Sequence, residues 1–428
     1  AWIDAIPAIV RILLIFGLVL LAIRRKWSLG NAFFAGSIGL GVVFAMPPAA
    51  IVLSVGAALV NPKTVSLAVV VSMILVFSHT LEKSGQMERL LNGFRGLIRR
   101  PKINLVIFPA LIGLLPMPGG AIFSAPMVKS LGQEHRLTAA QLSYINYWFR
   151  HIWEYWWPLY PGILLTTALA EVDLWRLVLF TVPMTVVAVS FGYWPLRGAV
   201  AATGNIAAPK SVRPFARELA PILCAIVLGL AFGVIFSALL PRMLLPIGKE
   251  LGLIAALLVA IAWVWQRNGM PWAARWAILK DPALLRMVYM VATILIFKGI
   301  LEDSRAVDQV SQEMLRWHIP LLPIAMLLPF LVGGVVGITI AFVGTTFPIL
   351  ISLIHALGQD ALMLPYLMLA LTSGFVGVLV SPLHLCFLLS NEYFKTSLTP
   401  VYKHMRVPLA ALLVAAVAYF GLLRYFMG

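Results

Sequence analysis

Runs of about 20 apolar residues, the length an α-helix needs to cross the hydrocarbon core of a bilayer, follow one another along nearly the whole chain. They fall near 5–23, 29–46, 64–81, 138–170, 174–196, 219–240, 246–266, 286–301, 362–391 and 407–424. Two further stretches, 103–131 and 319–357, are as apolar but are interrupted near their middles by glycine and proline. Of 428 residues, 61% are hydrophobic and 11% charged, whereas a soluble domain has about a quarter of its residues charged. Soluble enzymes, nucleic-acid binders and disordered chains are thereby excluded, and the fold class is an all-α polytopic membrane protein. Residues 47–60 are too short for another crossing and read as an extension or a surface helix. The first run carries Arg11, has no small-residue cleavage site after it and continues into Arg24, Arg25 and Lys26, so it reads as a retained span.

The net charge of +16 is a topology signal here, because Lys and Arg collect in cytoplasmic loops. One face receives 22 of the 32 basic residues, among them Arg24 to Lys26, six between Lys83 and Lys102, and Arg197, Lys210, Arg213 and Arg217. The other face has Lys63, Arg176, Arg242, Lys249, Arg305, Arg316 and Arg424. Both termini are expected outside. The two cysteines, Cys224 and Cys386, lie in apolar runs and read as packing residues, with neither a disulfide nor a metal centre expected.

An internal repeat organises the chain. VSMILVFSHTLEKS (71–84) recurs as VATILIFKGILEDS (291–304), an offset of 220 that also carries Pro109, Leu111, Gly113 and Ala121 onto Pro329, Leu331, Gly333 and Ala341. Each half holds five spans and one interrupted stretch. An odd number of spans inserts the second half upside down, giving an inverted-topology repeat of ten spans and two hairpins, the plan of secondary transporters. The expected division is a scaffold of 1–102 and 218–318, a transport region of 103–197 and 319–428, and a cytoplasmic linker at 198–217.

Stretch 103–131 has basic residues at both ends and arms too short to cross, which predicts a re-entrant hairpin with its tip at Pro116 to Gly120. Its counterpart, 319–357, breaks around Gly333 to Gly337. The helices that follow are broken as well, by WWPLYPG (156–162) and SPLHL (381–385). Proline frees carbonyls and exposes half-helix N-termini, which attract cations and anions respectively. Irregular backbone at membrane depth is tolerated only beside protein or a water-filled cavity, so the four breaks mark a central site.

The first broken helix brings Asn146, Arg150 and Glu154 to one helical face, with Tyr147 and His151 beside them. Arg150 lies roughly 18 Å from the cytoplasmic end, near the midplane, where an ionised group faces a cavity or a partner. Read functionally, Arg150, Asn146 and Tyr147 bind an anionic substrate, and His151 and Glu154 couple protons or ions; read structurally, Arg150 and Glu154 pair and fasten the helix. His384, after Ser381 and Pro382, is a further proton or ligand site. Gly119, Gly120, Ser124, Gly344, Thr345, Thr346 and Ser381 join the substrate site as small residues beside the breaks. Lys298 and His79 fall in the scaffold, His355 at a hairpin end, and Trp148, Trp153, Trp156 and Trp157 read as packing.

No Walker A, dinucleotide, HExxH or G-x-S-x-G motif occurs, so no enzyme and no cofactor are expected beyond Na+ or H+ as a coupling ion. A channel is one alternative; an intramembrane metal-dependent hydrolase, needing His79, His151, His384 and Glu154 to converge, is another.

The segments GLLPMPGGAIFSAPMV (113–128), NYWFRHIWEYWWPLYPG (146–162) and AFVGTTFPIL (341–350) resemble a family of prokaryotic integral membrane proteins grouped with the ion-transporter superfamily, alongside gluconate permeases and sodium- or proton-coupled dicarboxylate and citrate carriers. The Ser-Asn-Thr tips of the dicarboxylate carriers are replaced here by PMPGG and GGVVG. The resemblance implies a homodimer in the cytoplasmic (inner) membrane, with a fixed scaffold and a transport region that moves as an elevator. The substrate expected on that basis is a small anion, of the organic-acid class.

Overall fold

The fold is known from a computed structural model, which describes residues 6–94, 97, 101–116, 120–134, 136–197, 211–241 and 247–427. Among the described residues every regular element is helical. The first half comprises α1 (Ala8–Arg24), α2 (Leu29–Val43), α3 (Pro48–Val60), α4 (Pro62–Lys83), α5 (Gln86–Phe94), α6 (Pro101–Gly113), α7 (Ala121–Glu134), α8 (Ala139–Arg150), α9 (Pro161–Ala170) and α10 (Leu174–Gly192). The second comprises α11 (Arg213–Leu239), α12 (Gly248–Arg267), α13 (Trp272–Leu279), α14 (Pro282–Asp303), α15 (Ala306–Arg316), α16 (Leu321–Val336), α17 (Thr339–Ala356), α18 (Met363–Val380), α19 (Leu385–Phe394) and α20 (Leu398–Met427).

Local chemistry sets the ends of these helices. Asn61 and Asp281 each accept an N–H in the first turn of α4 and α14, at 2.9 and 2.8 Å. A proline follows each cap at the first helical position, where its missing N–H costs nothing. Both helices run for 22 residues and are followed one residue beyond the cap by a left-handed residue, Gly85 and Arg305. Residues 47–60, read as an extension or surface helix, form the separate helix α3, with Val52, Leu53 and Val60 exposed.

Among the described residues, eight helical stretches are long and apolar enough to cross a membrane, by length and composition: Pro62–Lys83, Leu174–Leu196, Arg213–Leu239, Gly248–Arg267, Trp272–Asp303, Thr339–Ala356, Asp360–Phe394 and Leu398–Met427. Ten were expected. The first two runs form helices of 17 and 15 residues, and 138–170 is cut into pieces of 12 and 10. Conversely α17, expected as half of a hairpin, has the 18 residues a crossing needs.

Packing follows small residues. A Cβ on Gly252 would sit 2.7 Å from Gly233 Cα, and one on Gly333 would sit 2.9 Å from Val378 N, so α11 meets α12, and α16 meets α18, backbone to backbone. Close approach of this kind is how apolar helices associate where no water drives them together. α18 is buried along nearly its whole length, and its apolar residues all round fit a central position. The packing is reciprocal: α4 lies on α12 and α14 on α2, α5 on α11 and α15 on α1, α7 on α19 and α17 on α9.

Polar groups fasten the ends of the helices. Glu313 of α15 accepts the N–H groups of Ala8 and Ile9 at 2.7 and 2.9 Å, and buried Arg11 donates to Gln309 at 2.6 Å. On α11, buried Glu218 takes Arg89 at 3.3 Å and, more closely, Arg267. Lys63 pairs with Glu171 at 3.6 Å and Lys249 with Asp173 at 2.5 Å. Each of these pairs joins segments that the charge asymmetry assigns to one face.

Candidate functional site

The first break begins earlier than its prolines suggest. A capping box of Thr138 and Gln141 starts α8, every residue from Leu142 to Arg150 is buried, and the helix stops at Arg150. His151 is the C-cap, its N–H turned to Trp148 O at 3.1 Å. Residues 151–160 are not helical. They are held by their aromatic side chains: Trp153 donates to Ala110 O at 2.7 Å, Trp157 to Leu114 O at 2.9 Å and Tyr160 to Gly113 O at 2.6 Å. These carbonyls lie at the C-terminal end of α6, where the helix supplies no donors of its own. The indoles thus bond as well as pack, and so do Trp148 to Ala188 O and Trp156 to Thr185. The expected common face of Asn146, Arg150 and Glu154 is therefore corrected: Glu154 lies four residues beyond the end of the helix.

The second break is shorter. α18 ends at Val380, and Ser381 Oγ accepts Leu383 N–H at 3.3 Å. His384 is the N-cap of α19. Against this turn lies Gly337, between α16 and α17, with φ of 72°. A Cβ there would stand 2.9 Å from Ser381 Oγ and 3.0 Å from His384 N, so both conformation and space require glycine. The hairpin breaks at Gly337 and Ile338, whereas Gly333 is helical.

The two breaks meet. His151 Nε2 and His384 Nε2 are 3.1 Å apart, and each ring uses its Nδ1 on a backbone carbonyl, Tyr147 O at 2.6 Å and Gly337 O at 2.7 Å. Glu154 stands 3.7 Å from His151 Nε2 and accepts from Thr339, the first residue of α17, at 3.0 Å. The guanidinium of Arg150, 2% exposed, lies against Gly120, where a Cβ would come within 2.9 Å of Cζ. Cys386 completes the group, with its Sγ and donor atoms of both histidines all within 4.8 Å of one another. The first turns of α7, α17 and α19 border the group through Gly120, Thr339 and His384, and that of α9 packs on Thr339 through Gly162.

The remaining expected residues divide. Asn146 donates to Ala121 O and Ser390 Oγ, both at 2.9 Å, and accepts Ser124 at 2.6 Å, so Asn146 and Ser124 tie α8 to α7 and α19. Tyr147 donates to Leu379 O at 3.1 Å and stacks on Phe387. Ser381 is buried in the second break. Gly344, Thr345 and Thr346 lie within α17, away from its tip. Gly344 packs on Ile294, and the two hydroxyls donate back to Ala341 O and Phe342 O at 2.7 Å. Gly119 lies outside the described residues. His79 pairs with Asp281 at 3.4 Å, Lys298 reaches Glu302 at 3.8 Å and Leu169 O at 3.4 Å, and His355 pairs with Asp360, all apart from the cluster. Thr339 and Cys386 are members that sequence reasoning did not select. The spacing His384-x-Cys386 was the available signal. A cavity of about 590 Å³ borders the unwound segment at Pro158 and Leu159 and extends to Lys63, Asp173 and Lys249. Arg150 is not among its lining residues.

Fold and site together define a multi-pass helical membrane protein whose helices break around a buried cluster of ionisable side chains. The chain belongs to the family described as protein of unknown function (DUF401), whose model matches residues 8–423. No curated protein matches it.

Proposed function

We propose that the protein is a secondary active transporter that moves a small anion, of the organic-acid class, by an elevator-like alternation coupled to protons or sodium. The observation that carries this reading is Arg150: a cationic side chain, buried at the end of α8 and lying against Gly120 at the start of α7. Guanidinium binds carboxylate through a planar fork, and helix N-termini favour the same charge.

An inverted repeat is supported by features independent of residue identity. Left-handed residues recur at Ala45 and Gly269, Gly85 and Arg305, Arg136 and Gly358, and Glu171 and Lys395, and the reciprocal packing follows the same pairing. The ion pairs within single faces support the proposed sidedness, with both chain ends outside. Membership of the ion-transporter superfamily, the homodimer and the division into scaffold and transport region belong to the same reading.

The test is uptake of labelled organic acids into proteoliposomes, under imposed proton and sodium gradients. Arg150→Lys is expected to raise KM at least tenfold, because an ammonium cannot reproduce the fork, and Arg150→Gln with Glu154→Gln to fold without transporting. Wild-type uptake by that double variant, or transport of neutral and cationic solutes alone, refutes the assignment.

A further inference from the structure

The contact between the two histidines has a chemical requirement of its own. A carbonyl oxygen only accepts, so Tyr147 O and Gly337 O assign a hydrogen to Nδ1 of His151 and of His384. In the neutral rings each Nε2 then carries a bare lone pair. These lone pairs face each other at 3.1 Å, an arrangement that repels until the Cys386 thiol donates its hydrogen to one of them or a cation lies between or beside them.

The surrounding donors favour a metal ion as that cation. Cys386 Sγ joins both imidazoles within 4.8 Å, and Glu154 Oε1 is 3.7 Å from His151 Nε2, which makes a set of two nitrogens, a sulfur and a carboxylate oxygen. With Zn–N distances of about 2.0–2.1 Å, tetrahedral zinc holds two imidazole nitrogens about 3.3 Å apart. An Nδ1–H bound to a carbonyl is the outer-shell arrangement that orients ligating histidines and presents Nε2 to the metal. Mg2+ and Ca2+ take oxygen ligands and do not suit this set. His79 stays with Asp281, and Cys386 supplies the third ligand.

We propose that His151, His384 and Cys386, with Glu154 beside them, form a binding site for a divalent ion of the zinc type. The ligands come from opposite halves of the chain. His151 ends α8, while His384 and Cys386 begin α19, and these two helices pack together. A bound ion therefore clamps the first unwound segment to the second.

The chain has two cysteines, and Cys224 lies half-buried on α11, which makes the sulfur ligand identifiable. Full-length protein in detergent, stripped by a chelator and titrated with Co2+ alone, is expected to bind about one ion per chain. The expected spectrum has intense tetrahedral d–d bands and a thiolate-to-cobalt charge-transfer band. Cys386→Ser removes the charge-transfer band and Cys224→Ser keeps it. His384→Gln lowers the affinity for Zn2+ by more than the roughly 10–100-fold that loss of an outer-shell partner costs. The near-isosteric Cys386→Ser, checked by gel filtration and circular dichroism, keeps the test decisive if a histidine variant does not fold. Failure to bind Co2+ at this stoichiometry, or a charge-transfer band that survives Cys386→Ser, overturns the site. The anion reading does not enter this measurement, so either can fail while the other stands.

Discussion

Gly120 and Gly113 both touch Arg150, and the difference between them separates an architectural role for this arginine from a binding one. A methyl group on Gly120 would meet the guanidinium, 2.9 Å from Cζ and 3.3 Å from Nε. A methyl on Gly113 would meet the Arg150 carbonyl, 2.9 Å from its carbon and closer to its oxygen. The first neighbour is the end of a side chain, which can shift without moving the backbone; the second is backbone at a helix terminus and cannot. Overpacking of a close-packed interior costs about 1–3 kcal/mol. Gly113→Ala should therefore lower the melting temperature and the yield of folded protein. Gly120→Ala should stay near wild type in stability and lose a charge-assisted hydrogen bond to the substrate, about 1.5–3 kcal/mol, or roughly 10–100-fold in affinity. The assay is uptake kinetics in proteoliposomes beside melting of the same preparations in detergent. A stable Gly120→Ala protein with wild-type KM would show that displacing the guanidinium leaves substrate recognition untouched, and would refute its role there.

Two further outcomes rest on the ion pairs at the helix ends. Glu218→Ala leaves Arg267 and half-exposed Arg89 without their acid and should destabilise the protein by about 2–3 kcal/mol, less than a fully buried pair because one partner is solvated; a melting curve that does not shift contradicts this. Burial works against the Asp173 carboxylate, but the hydrogen bonds from Lys249 and from the Trp175 N–H outweigh it and hold its pKa below the ordinary value. A depressed folded pKa contributes stability that is fully present above about pH 4 and is lost as pH falls through the lower, folded value. Melting followed downward from pH 5 should show this loss in the wild type and not in Asp173→Asn.

Much of the helical order is legible in the residues, because 22-residue apolar runs capped by Asn61 and Asp281 and followed by proline have few other ways to fold. The 220-residue offset is legible too. The site is less so. Asn146, Arg150 and Glu154 have helical spacing, yet the helix ends at Arg150 because carbonyls of α6, distant in sequence, bind Trp153, Trp157 and Tyr160. No local pattern reveals that competition. Thr345 and Thr346 look like ligands in a small-polar cluster, but inside a buried helix their hydroxyls turn back to the preceding turn. Cys386 looks like packing until the second break folds it beside His151.

The aromatic bonds that hold 151–160 have a mechanical consequence. Pulling the first hairpin away from this segment would strand two indole N–H groups, a phenol and three carbonyls in an interior poor in water. At about 1–3 kcal/mol for each broken hydrogen bond, the three together resist separation by roughly 3–9 kcal/mol. The second hairpin is held as well, by the close approach of α16 to α18 at Gly333 and by Thr339 on Glu154. Ser373 holds α16 to α18 through Met326 O at 2.7 Å, and His384 meets its tip at Gly337 O. Gly337 itself, left-handed and packed against Ser381 and His384, leaves no room for a side chain at that tip. In the transport reading, each hairpin therefore moves together with the segment it holds, rather than bending away from it.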